Sequence, residues 1–140
     1  MDKAECARLE TYLRTLLGAG TSLSIKPSGD EEAQLRMGQK VLGEILRDED
    51  EGELSYCLSM SISRAKGASK KQPLDDGERV RLESVLKETF GSDKLEVRAR
   101  PRKTDSAEVY VGDEFIGTLS TDEDEGYFLT VSILDMDLNA

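Results

Sequence analysis

Two halves of this chain are copies of one another. Asp2, Glu5, Arg8, Leu9 and Glu10 return 73 positions later as Asp75, Glu78, Arg81, Leu82 and Glu83, and the pentad DEDEG at 48–52 returns letter for letter at 122–126. The same offset pairs Leu13 with Leu86 and Gly18 with Gly91; after a one-residue gap, Leu23 faces Leu95 and Ile25 faces Val97. An offset of 74 matches Gly38 with Gly112 and Gly43 with Gly117, and skipping residues 53–55 restores Tyr56 against Tyr127, Leu58 against Leu129 and Ile62 against Ile133. Self-similarity at one long period, with gaps where turns belong, marks a single fold unit duplicated and fused. The repeat constrains shape and carries no catalytic constellation.

A unit of about seventy residues is marginal alone, so the two copies are expected to share buried surface. The 140 residues are 37% hydrophobic and 34% charged, ordinary for a globular chain. No apolar run reaches the length of a membrane span, and the first twenty residues lack the apolar centre of a signal peptide. Cys6 and Cys57 have no counterparts in the second copy, which carries Arg79 and Phe128 there. They read as reduced, half-buried thiols in a cytoplasmic protein. The net charge of −10 is lopsided: residues 1–72 hold 12 acids and 11 bases, whereas residues 73–140 hold 17 acids and 8 bases. Such a chain is a poor fit to nucleic acid or an anionic membrane, since phosphate attraction needs a basic face.

Each copy opens with a helix. Asp2 and Asp75 precede Glu5 and Glu78 by three residues, the spacing of a capping box. Cys6, Leu9, Leu13, Leu16 and Leu17 fall on one helical face, as do Leu82, Val85, Leu86 and Phe90, with Gly18 and Gly91 closing each helix. Period-two alternation then gives strands. Leu95, Val97 and Ala99 are expected inward with Glu96, Arg98 and Arg100 outward, and Pro101 ends that strand. Residues 107–111 and 115–119 form a hairpin about Gly112 and Asp113, and a long last strand runs from Tyr127 to Ile133. The first copy has equivalents at 23–26, 33–37, 41–46 and 54–62. Residues 64–72 read as a polar, flexible tether.

The chain has no histidine, which removes the commonest general base and metal ligand. No CxxC or Gly-rich phosphate loop is present, so no catalytic residue, cofactor or metal site is assigned and an enzyme is disfavoured. The duplicated acidic pentad fails the EF-hand spacing, because its fifth position is already Gly52 or Gly126. A charged turn, with those glycines at positive φ, accounts for it. The sharper feature is Arg98, Arg100, Arg102 and Lys103, a stripe with no counterpart around Lys26, Ser28 and Asp30. Guanidinium forks suit carboxylates and phosphates, so the stripe is a candidate partner or anion contact; its plainer reading is a solvated face neutralised by neighbouring acids.

Residues 98–117 (RARPRKTDSAEVYVGDEFIG), with the acidic turn and residues 133–138 (ILDMDL), resemble a short alphaproteobacterial family known as a domain of unknown function, number 3126. The resemblance covers most of residues 75–138. The first copy looks like a decayed version, keeping 52–56 (GELSY) and Met60 but lacking the arginine strand. Membership implies a bacterial cytoplasmic setting. Units of this family are typically single, so a tandem form implies that an isolated unit pairs with itself.

The reading is therefore an α+β protein: repeats 1–63 and 73–140 about a 64–72 linker, each one helix and a four-stranded antiparallel meander, related by a pseudo-twofold axis. The expected function is a non-enzymatic adaptor or regulatory module binding another protein, as a monomer with an internal pseudo-dimer or as a weak homodimer. An acidic chaperone or nucleic-acid mimic covering a basic partner, and a small-ligand or anion-binding module, are the alternatives.

Overall fold

A computed structural model describes residues 1–18, 22–62, 76–100, 103–122 and 126–138. Helix α1 spans Lys3–Leu17. Its capping box forms as the spacing requires: Asp2 Oδ1 accepts from the Glu5 amide at 2.7 Å and Glu5 Oε1 from the Asp2 amide at 3.3 Å. Cys6, Leu9, Leu13 and Leu17 are buried along one stripe. Four strands follow: β1 (Leu23–Gly29), β2 (Glu32–Met37), β3 (Lys40–Asp50) and β4 (Glu53–Ile62). The second copy supplies α2 (Asp76–Phe90), β5 (Leu95–Arg100), β6 (Lys103–Val111), β7 (Glu114–Asp122) and β8 (Gly126–Leu134), before a short α3 (Asp135–Leu138).

All eight strands join one antiparallel sheet in the order β1-β2-β3-β4-β8-β7-β6-β5. The copies meet edge to edge at its centre, where β4 pairs with β8 from Ser55↔Leu134 to Ile62↔Tyr127. Paired residues share a face of the sheet. One face carries Leu23, Ile25, Ala33, Leu35, Ile45, Tyr56, Leu58 and Met60 from the first copy. It continues through Tyr127, Leu129, Val131, Ile133, Leu119, Val109 and Leu95 of the second, all buried. Both helices lay their stripes on that face, and residues of both copies fall into one core. Leu13 and Leu17 of α1, Leu86 and Phe90 of α2, Leu58 and Val131 surround one small void at the centre. Neither copy therefore owns a complete core. Among the described residues, no helix lies over the opposite face.

Two glycines let the strands approach. A Cβ built on Gly43 would lie 2.3 Å from the Ser59 carbonyl oxygen, and one on Gly117 would lie 2.2 Å from that of Thr130. Each glycine sits beside a register shift, between Leu35 and Arg36 or between Val109 and Tyr110. Only a residue without a side chain fits where a bulge presses the backbone onto its neighbour.

Several expectations need adjustment. The strands of the first copy run longer than the apolar alternation indicates, because backbone pairing continues past the buried positions. Asp48–Asp50 of the acidic pentad are strand, and the turn narrows to Glu51 and Gly52, both at positive φ. Gly126 also has positive φ, as expected; residues 123–125 lie outside the described residues. Ala99 is exposed despite pairing with buried Ala107, since the sheet there runs past its helical cover. Helix α3 has no apolar period and was not anticipated. The tether at 64–72, Asp75 and Pro101 lie outside the described residues.

Candidate functional site

The arginine stripe lies on β5, an outer strand of the sheet. The Arg98 guanidinium donates to Glu96 Oε2 at 2.9 Å and to the Gly112 carbonyl at 3.2 Å, and comes within 3.5 Å of Asp113 Oδ1. Its Cζ stands 4.0 Å over the centre of the Tyr110 ring, which meets Phe115 edge to face at 5.7 Å. The hydrogen bond to Glu96 leads the effects that raise Arg98 above its ordinary value. Arg100 donates from Nη1 to Ser106 Oγ at 3.2 Å. Arg102 lies outside the described residues, and Lys103 is placed only as the first residue of β6. Arg98 and Arg100 are thus already engaged by this chain's own groups. The two outer strands are also poor templates for an added strand: β1 contains Pro27, and register shifts occur at Pro27/Gly29 and at Ala99/Arg100.

A second arrangement, unseen in the spacing, occurs in both copies. Tyr56, fully buried on β4, donates its hydroxyl to Glu5 Oε2 at 2.7 Å, and Tyr127, fully buried on β8, donates to Glu78 Oε2 at 2.5 Å. A guanidinium completes each group: Arg47 Nε lies 3.0 Å from Glu5 Oε2, and Arg81 Nε 3.0 Å from Glu78 Oε1. The capping glutamate of α1 and its counterpart in the first turn of α2 are thereby tied to the middle of the sheet. The alignment pairs Glu5 with Glu78 and Tyr56 with Tyr127, which is the signal that could have drawn attention to them. Burial acts to raise the Glu5 carboxyl, but the Tyr56 hydroxyl, the Asp2 amide and Arg47 outweigh it and hold it below 4.5. Burial first, then the hydrogen bond and charge of Glu5, push the Tyr56 phenol from 10 to about 12.

The signs give a pH prediction. Stability from the Glu5 carboxylate is complete above pH 4.5 and is lost as pH falls through its lower folded-state value. Stability from the neutral Tyr56 phenol is complete below pH 10 and is lost as pH rises through about 12. In urea midpoints measured against pH, Glu5→Gln should shrink the acid limb and Tyr56→Phe the alkaline one, with exposed Glu53→Gln changing neither. An unchanged acid limb in Glu5→Gln would contradict the assignment.

The helix-free face is the largest feature left unexplained. Seven large apolar side chains are exposed among the described residues, and strand alternation and pairing place five of them (Val41, Leu46, Phe115, Phe128 and Leu134) on this face. Phe115 is 51% and Leu46 44% accessible, too open to be core. Between them runs a polar row across the whole sheet, Lys26–Gln34–Glu44–Ser59–Thr130–Thr118–Glu108–Arg98, each residue paired with the next. The face is thus amphipathic: apolar points on either side of a polar row that is hydroxyl-bearing at the seam and charged or amide toward both margins. On the helical side, a cleft of about 820 Å³ opens between α1, the β6–β7 turn and α3. Among the described residues no group of three or more His, Cys, Asp or Glu side chains is arranged to hold a metal ion, and no helix is long and apolar enough to cross a membrane.

Comparison with known proteins gives a family match, made twice. The model of a family described as a protein of unknown function (DUF3126) matches residues 5–65 and again residues 78–137. No curated protein and no solved structure matches the chain.

Proposed function

The chain belongs to the DUF3126 family, carrying its unit twice, and we propose that it is a non-enzymatic interaction module that takes a partner protein on the bare face of its sheet. The observation that carries this reading is the set of five exposed apolar side chains on that face, against two elsewhere among the described residues. Isolated surface hydrophobes are ordinary; their gathering on one uncovered face marks a contact surface. The partner fitted by this reading presents apolar side chains to the face and is net basic as a whole, since the chain carries −10 although the polar row of the face is balanced, Lys26 and Arg98 against Glu44 and Glu108. Arg98, the described start of the arginine stripe, lies at one margin of the face, where it shapes the Tyr110–Phe115 cluster. A reducing, cytoplasmic setting accords with Cys6 and Cys57, both free.

The two copies are related, in this reading, by a pseudo-twofold axis through the β4–β8 seam. Its support is the register. Ser59 pairs with Thr130, its own counterpart at an offset of 71, while Tyr56 pairs with Ile133 and Ile62 with Tyr127. Such pairing is self-complementary, as a twofold contact must be. Across that axis Val41 corresponds to Phe115, Cys57 to Phe128 and Leu46 to Ser120, so the apolar groups of the face are distributed differently in the two copies.

A photoreactive phenylalanine analogue at position 128, or at exposed position 80 on α2, tests the proposal in the full chain. Position 128 should yield one dominant basic adduct from a native lysate. The adduct should fade at high salt and disappear on Phe115→Asp. Equal yields from positions 80 and 128, or indifference to Phe115→Asp, would overturn it.

A further inference from the structure

We infer that the cleft between α1, the β6–β7 turn and α3 is a binding site for a small organic cation, an ammonium carried on an apolar body. Its volume of about 820 Å³ lies within the range of small-molecule sites. Leu16 of α1, Val111 of β6 and Leu138 of α3 give it an apolar lining, and each is partly buried against the core. Tyr12, on α1, adds a half-buried aromatic ring. Its hydroxyl has no hydrogen-bond partner among the described residues.

Charge decides the ligand class. Arg8, also in the lining, is 3.7 Å from Asp135 and so already compensated. What remains is Glu114 on β7 and Asp137 on α3 against Lys94, just before β5, two carboxylates to one ammonium. Neither carboxylate has an ion-pair partner among the described residues. Both act on the Tyr12 phenol, which burial, then Asp137, then Glu114 raise above its usual value. An aromatic ring with flanking carboxylates beside an apolar wall is what an alkyl- or arylammonium needs: charge to neutralise, a π face and a place for its body. An anion would meet two like charges and one lysine.

The site stands apart from the bare sheet face. Phe128→Asp should leave cation binding intact, so either proposal can fail without the other. The test is a titration of the full chain with benzylamine, benzyl alcohol and benzoate, three ligands of one body and different charge, followed by amide chemical shifts. Benzylamine is expected to shift Tyr12, Val111, Glu114 and Asp137 saturably, with benzyl alcohol weaker and benzoate weakest. Glu114→Gln and Asp137→Asn should each weaken benzylamine about threefold, and Lys94→Gln should tighten it by a similar factor. Thr15→Trp, which fills the cleft from the exposed side of α1, should end binding with the thermal unfolding curve retained. Benzoate binding as tightly as benzylamine, saturable shifts located elsewhere, or no saturable shift would overturn the inference.

Discussion

Gly117→Ala is expected to destabilise the protein by about 3 kcal/mol, the upper end of what one forced methyl costs in a packed site. The obstacle is backbone: the new Cβ would lie 2.2 Å from the Thr130 carbonyl oxygen and 3.0 Å from Val131 Cγ2. A side chain can rotate away, but a carbonyl inside the β7–β8 ladder moves only if the ladder opens. Thr130 also pairs with Ser59 across the seam, so the disturbance reaches the junction of the two copies. Gly43→Ala meets the Ser59 carbonyl at 2.3 Å and should cost a similar amount. Gly112→Ala is the control: its Cβ meets nothing within 4 Å, leaving only the strain of φ +62°, about 1 kcal/mol. Urea unfolding followed by far-ultraviolet circular dichroism separates them. Gly117→Ala matching Gly112→Ala would mean that β7 and β8 do not approach as described.

Tyr127→Phe should cost about 2 kcal/mol, more than a neutral hydrogen bond, because the acceptor is a carboxylate. Glu78 is only 6% accessible, and without the hydroxyl Oε2 loses its shortest contact and keeps Arg81 Nη2 at 3.2 Å. Glu78→Gln should cost about as much, because it weakens the contacts with both Arg81 and Tyr127. The double variant should cost clearly less than the sum, since each change removes the same interaction. Additive losses in a double-mutant cycle would show that the tyrosine and the glutamate act separately.

Local rules in the sequence reached far. The capping box at Asp2 and Glu5, the helical stripes, the Gly112–Asp113 hairpin and the period-two strand of residues 127–133 all arise from neighbours a few positions apart. What joins the copies does not. The β4–β8 pairing links Tyr56 to Ile133, and either a face or an edge contact would have satisfied the same apolar residues. The Glu–Tyr contacts were equally hidden, because a glutamate three residues past a cap is fully accounted for by the cap, although Glu78 is buried beneath it. Ala99 misled because alternation reports which face a residue occupies, not how far the helices extend over it. The arginine stripe was legible as charge, but its compensation by Glu96, Asp113 and the Tyr110 ring depends on strands and turns folding together. The bare face was hidden, since alternation separates Phe128 from Tyr127 and Leu129 but does not say which side the helices cover.

That two copies of one unit close a single sheet through β4 and β8 is tested most directly by nuclear magnetic resonance of the full chain. Cross-strand contacts should appear between Tyr56 and Ile133 and between Ile62 and Tyr127, with Ser59 opposite Thr130, and amides of both strands should exchange among the slowest in the protein. Amides of residues 53–62 exchanging as fast as those of the outer strands β1 and β5, with no contact between the two copies along this seam, would contradict the account.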